Sequence, residues 1–134
     1  MTKISFLNGE FLPHEKCLVS IEDRGFQFAD GAYEVTLFEN NKLIDGENHL
    51  HRMMRSLREL NINHDFSIEY LKNIQLELFK QNNISGNHTC YLQITRGSHP
   101  RVPSCPNPCK LITVKSLSAN LFVDGSMPAR STVT

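Results

Sequence analysis

Residues Glu22 to Glu34 read E-D-R-G-F-Q-F-A-D-G-A-Y-E. The run mixes charge, two glycines and three aromatics too densely for an ordinary strand or helix. Gly25 and Gly31 can each supply a backbone conformation closed to other residues, or a close approach to a ligand. Asp30-Gly31 is a turn dipeptide. Immediately beyond it, Tyr33 to Phe38 (Y-E-V-T-L-F) is rich in aromatic and β-branched residues and reads as a strand. Period two puts Tyr33, Val35 and Leu37 on one face and Glu34, Thr36 and Phe38 on the other. A tight turn feeding a strand that presents a phenol beside apolar groups predicts one wall of a pocket.

Upstream, Lys3 to Leu7 and Glu10 to Pro13 flank Asn8-Gly9, a strong hairpin signal because both residues tolerate positive φ. Leu18 to Asp23 alternates weakly and reads as a further strand or an extended lead-in. Downstream, Asn40-Asn41 makes a turn, with Lys42 to Ile44 as the returning strand. Asp45 is a candidate N-cap, with Glu47 in the first turn where the helix dipole favours an anion. Leu50, Met53, Met54, Leu57 and Leu60 then recur at helical spacing, and Asn61 to Asp65 ends that helix. Ser67 can cap a second helix carrying Leu71, Ile74, Leu78 and Phe79. Thr89 to Thr95 alternates as a strand, with Cys90, Leu92 and Ile94 on one face. Four prolines forbid regular structure over Arg96 to Cys109, and Lys110 to Leu117 reads as a last strand. The expected fold is one α+β domain, an antiparallel sheet with two helices in a two-layer sandwich. Residues 1–117 form it, and 118–134 read as a linker or the start of a larger domain.

Composition narrows the partners. The 134 residues carry 14 basic and 14 acidic side chains, for a formal charge of zero. Electrostatics gives no reason to expect nucleic acid or an anionic membrane. The first residues lack the apolar core of a signal peptide, and no apolar run is long enough to span a bilayer. The expected location is the cytoplasm. Cys17 and Cys90 read as buried thiols. Cys105 and Cys109 are spaced more widely than the usual zinc pair and have no second pair to complete a tetrahedral site. His49 and His51 point to different faces of their helix and cannot share an ion. No metal is expected.

The Glu22–Glu34 stretch resembles the N-terminal signature of the class IV pyridoxal-phosphate aminotransferases, nearest to the D-amino-acid branch. Three further stretches match in order and spacing: the opening strands around Asn8-Gly9, the helix near His49 with Arg52, and R-G-S-H-P-R from Arg96 to Arg101. On residue pattern alone, His49 and Arg52 would be a solvated helix face, and Arg96 and Arg101 two surface arginines. The resemblance assigns Arg52 to the cofactor phosphate, for which a forked, permanently charged guanidinium is suited. It places His49 near the cofactor. It gives Arg101 and Tyr33 to the substrate α-carboxylate, with Val35 lining the pocket. Pyridoxal 5'-phosphate is the implied cofactor, an amino acid and a 2-oxo acid are the implied substrates, and a homodimer is the implied assembly.

Two positions depart from the D-amino-acid pattern. That branch places a histidine two residues after the Arg101 position, where this chain has Pro103, and a lysine where it has Leu37. The substrate, and its hand, stay open between a D-alanine-like amino acid and the substrates of branched-chain aminotransferase or aminodeoxychorismate lyase. The resemblance also implies that the Schiff-base lysine lies beyond Thr134, because neither Lys110 nor Lys115 matches it. An N-terminal piece of an aminotransferase, inactive by itself, is therefore the first expectation. A short non-catalytic module for dimerisation or anion binding is the second.

Overall fold

The structure is a computed structural model that describes residues 2–101 and the backbone of residues 111–118. Six strands form one sheet: β1 (Ile4–Leu7), β2 (Glu10–Pro13), β3 (Gly31–Glu39), β4 (Lys42–Leu43), β5 (His88–Thr95) and β6 (Leu111–Ser118). Their order is β2-β1-β6-β5-β3-β4, and every neighbouring pair is antiparallel. The two long helices, α2 (Gly46–Glu59) and α3 (Ile68–Gln81), supply the second layer.

Local chemistry explains most of these boundaries. Asn8 and Gly9 both take positive φ at the β1–β2 turn, as do Asn40 and Asn41 between β3 and β4. Ser67 caps α3 by accepting from the Tyr70 amide at 3.1 Å. Asp45 occupies the N-cap position of α2 but does not cap it. Its backbone is left-handed, with φ 53°, and its Oδ1 accepts instead from the Asn48 side chain at 2.6 Å. Residues 18–22 do not add a strand. Asp23 alone makes an isolated bridge, to Ser98.

The core lies between the helices and one sheet face. Leu50, Met53 and Leu57 of α2 meet Leu71, Ile74, Leu78 and Phe79 of α3 over Phe38, Cys90, Leu92 and Ile94. The Phe38 and Phe79 rings stack with centroids 3.8 Å apart. Each fully buried aliphatic side chain contributes about 1.5–3 kcal/mol. The opposite sheet face carries Tyr33, Val35 and Leu37, and neither Tyr33 nor Leu37 is buried.

The Glu22–Glu34 stretch departs from expectation in three ways. Arg24–Phe28 is a single helical turn, α1, so the sandwich has a third, short helix. Asp23 makes it possible: its carboxylate accepts from the Gly25 amide at 2.8 Å, taking up a helix-end donor. The left-handed residue is Ala29, φ 55°, rather than Asp30 or Gly31. Finally, Gly25 and Gly31 allow close approach of the chain to itself rather than to a ligand. A Cβ on Gly25 would overlap Thr95 Cγ2, and one on Gly31 would lie 2.7 Å from the Ile94 carbonyl oxygen.

That last contact gives a test. The Ile94 oxygen sits in the β3–β5 ladder and cannot retreat cheaply. Gly31→Ala should therefore cost about 1–3 kcal/mol, as overpacking does. It would appear as a lower urea midpoint with an unchanged slope. An unchanged midpoint would mean that the start of β3 is free to move away.

Candidate functional site

Glu34 organises the site, and the sequence pattern does not single it out. It faces the helices from β3 and is 3% exposed. A carboxylate there must be paired. Arg52 Nε donates to Glu34 Oε1 at 2.6 Å, and Arg52 Nη2 donates to Oε2 at 2.8 Å. His49 Nδ1 reaches the same Oε2 at 2.8 Å. One turn of α2 thus aims both predicted residues at one carboxylate, because positions three apart share a helix side.

The protonation pattern follows. Burial alone would raise the Glu34 pKa, but hydrogen bonds from Arg52 and His49 outweigh it and hold the carboxyl below its usual range. An ionised carboxylate only accepts, so His49 Nδ1 carries the shared proton. Hydrogen bonding to Glu34 and its charge raise the Arg52 pKa, with a smaller contribution from Tyr33. Arg52 therefore stays cationic.

Arg52 spends two of its five N–H donors on Glu34. Its side chain is 58% exposed, and among the described residues nothing accepts from Nη1. The outer edge of a guanidinium fixed along its inner edge suits an external oxyanion. The residues present therefore fit a phosphate group.

On the open sheet face, the Tyr33 ring stacks on Tyr91 at 5.7 Å. Val35 is half-buried two residues further along, opposite Tyr91 in the β3–β5 register. Burial and then Tyr33 push the Tyr91 pKa up. Leu37 continues the same apolar row. Phenol hydroxyls and aliphatic surface together can receive a small polar molecule with an apolar part.

Arg101 stands apart from this group. Its guanidinium lies 5.6 Å from the Phe28 ring centroid, and among the described residues no hydrogen bond joins it to Tyr33. Phe28 is the last residue of α1, so this contact sets Arg101 beside the Glu22–Glu34 stretch, just ahead of β3. Arg96, a surface arginine by its sequence pattern, is instead 1% exposed. It donates to Asp30 through Nε at 2.8 Å and Nη2 at 3.2 Å. It also donates to the carbonyls of Leu60 and Asn61, just past α2. Arg24 donates to the same Asp30 oxygen at 2.8 Å. Arg96 thus ties the Glu22–Glu34 stretch to the end of α2. Pro103, Cys105, Cys109, Lys110 and the segment 119–134 lie outside the described residues. Lys115 is placed only by register, opposite Tyr91.

The sequence model of amino-transferase class IV matches residues 31–127. The chain belongs to that family, whose members work with pyridoxal phosphate. Among curated proteins it is similar to the D-alanine aminotransferase of Staphylococcus epidermidis, 42% identical over 108 residues, which are 81% of this chain and 38% of that protein. The chain therefore spans well under half of that relative's length. Among solved structures, the branched-chain amino acid aminotransferase of Escherichia coli superposes with TM-score 0.80 at 14% identity, over 88% of this chain and 40% of that one. The branched-chain aminotransferase of the archaeon Thermoproteus uzoniensis, solved with norvaline, gives 0.79 at 12%, over 88% and 41%. At those identities the likeness shows the fold alone.

Proposed function

We propose that this domain is the cofactor-phosphate and substrate-carboxylate side of a pyridoxal-phosphate aminotransferase that moves an amino group from a D-alanine-like amino acid to a 2-oxo acid. The observation that carries the reading is the Glu34–Arg52–His49 arrangement, a fixed guanidinium with a free outer edge. Arg52 holds the phosphate. His49, with its proton held on Nδ1 by Glu34, stands beside it. Tyr33 and Arg101 receive the carboxylate, and Val35 shapes the apolar side of the pocket. Bound pyridoxal phosphate supplies the electron sink for proton removal at the amino acid's α-carbon. The protein's part here is to bind, orient and keep charges in register. No lysine of this chain is assigned to the chemical step, so the 134 residues alone are taken to be inactive, and a homodimer is the proposed assembly.

Leu37 favours a second reading. An exposed leucine in the Tyr33–Val35 row suits an aliphatic side chain and hence a branched-chain amino acid. The two are separated by amino-group transfer to a 2-oxo acid, measured on a chain that carries the family's lysine. D-alanine should be a better donor than L-leucine. The opposite preference would assign the branched-chain reaction, and turnover of neither would overturn both.

A further inference from the structure

Between α3 and the sheet, two polar side chains are buried without an oxygen or nitrogen partner. Thr36 and Gln75 are each 0% exposed. Among the described residues, Thr36 Oγ1, Gln75 Oε1 and Gln75 Nε2 all lack an oxygen or nitrogen hydrogen-bond partner. They converge on a third group. Thr36 of β3 stands opposite Cys90 of β5 in the strand register, and Cys90 is also fully buried. Gln75, between Ile74 and Leu78 in α3, reaches the same sulfur from the helix side as a weak hydrogen-bond neighbour. Burial still dominates that thiol and pushes its pKa up to about 12, with Gln75 pulling weakly the other way. The hydroxyl, the amide and the sulfur therefore share one spot in an otherwise apolar core.

Energetics makes dry burial of this group costly. A buried donor or acceptor left unmade costs about 1–3 kcal/mol. Three such atoms would take a large share of the roughly 5–15 kcal/mol that holds a domain together. A thiol is too weak a partner to satisfy a primary amide. Buried polar atoms with no protein partner are, as a rule, bridged by ordered water making about three hydrogen bonds.

We propose that Thr36, Gln75 and Cys90 form an internal water site joining α3 to the β3–β5 pair. The water accepts from Gln75 Nε2 and donates to Thr36 Oγ1, with its second proton directed at the Gln75 carbonyl oxygen or the sulfur. The site is distinct from the Arg52 group, although Thr36 lies on the same strand face as Glu34. Its ligand is solvent, and its role is to let a glutamine sit in the core as a specific link between layers.

A double-mutant cycle on the 134-residue chain tests this, using Thr36→Val and Gln75→Met, which keep shape and remove polarity. If a water bridges the pair, each single change strands the other's partner and should lower the folding constant on the order of tenfold. The double variant should then lose much less than the product of the two, because no polar group is left stranded. Single variants more stable than the wild type would overturn the proposal, since that is how dry, unpaired polar atoms respond. Should a variant fail to fold, the wild-type chain decides. A long-lived water should give a nuclear Overhauser effect to the Gln75 side-chain amide protons, and absence of that signal overturns the site.

Discussion

Arg101→Ala, in a chain that carries the family's lysine, is expected to lower kcat/KM for the amino acid about thirty- to several-thousand-fold. The range corresponds to about 2–5 kcal/mol, the usual consequence of truncating one partner of a desolvated, hydrogen-bonded charge pair. The alanine would leave a substrate carboxylate with a phenol donor from Tyr33 and no fork to grip it. Cofactor affinity should barely move, because the phosphate is assigned to Arg52, on a different element. Arg101→Lys should fall between the two, keeping charge but losing the planar fork and its seat on Phe28. Paired titrations with cofactor and amino acid read both effects. Loss of cofactor with normal substrate binding would show that the arginine roles are reversed.

Asp30→Ala should have the largest effect on stability. Asp30 is the shared acceptor of Arg24 and Arg96, whose side chains are 6% and 1% exposed. Without it, two buried guanidiniums lose their shared carboxylate, and Arg96 keeps only neutral carbonyl acceptors at Leu60 and Asn61 among the contacts described above. Breaking such an arrangement costs about 3–5 kcal/mol, a large fraction of a domain's total. Urea unfolding would show this as a sharply lower midpoint. The same carboxylate makes a pH prediction. Burial alone would raise its pKa, but hydrogen bonds from Arg96 and Arg24 outweigh burial and hold it below the usual range. Glu34 behaves likewise. A depressed folded-state pKa contributes stability that is complete above the unfolded value and drains as pH falls through the folded one. Stability should therefore be flat above about pH 5 and decline below it. In Asp30→Ala the acid-side decline should be shallower. An equally steep decline would place the linkage in other carboxylates.

Legibility in the sequence tracks the range of the forces involved. The Asn8-Gly9 and Asn40-Asn41 turns, the Ser67 cap and the apolar stripe of α2 are set by neighbours within a few residues, and they stand where local chemistry puts them. The alternation of β3 correctly separates Tyr33, Val35 and Leu37 from Glu34, Thr36 and Phe38. What alternation cannot say is which face the helices cover. Glu34 therefore escapes notice, although a carboxylate on a core-facing strand position beside a His/Arg helix pair is a readable signal once that face is known. Arg96 looks like a surface residue for the same reason. Its partners, Asp30 and the carbonyls of Leu60 and Asn61, lie 35 to 66 residues away. Gly25 and Gly31 suggest turn or ligand roles because a glycine's reason for being small lies in whatever packs against it, here β5.

The site's phosphate assignment is tested most directly by titrating the 134-residue chain with pyridoxal 5'-phosphate and following its phosphorus NMR signal, with wild type and Arg52→Ala side by side. Arg52 keeps three donors beyond those given to Glu34. Their loss should weaken binding roughly ten- to hundredfold, as expected for hydrogen bonds to a charged group. Pyridoxal, which lacks the phosphate, should bind both proteins equally poorly. If Arg52→Ala binds pyridoxal 5'-phosphate as tightly as the wild type, the guanidinium held by Glu34 does not grip the phosphate and the account of this site is wrong.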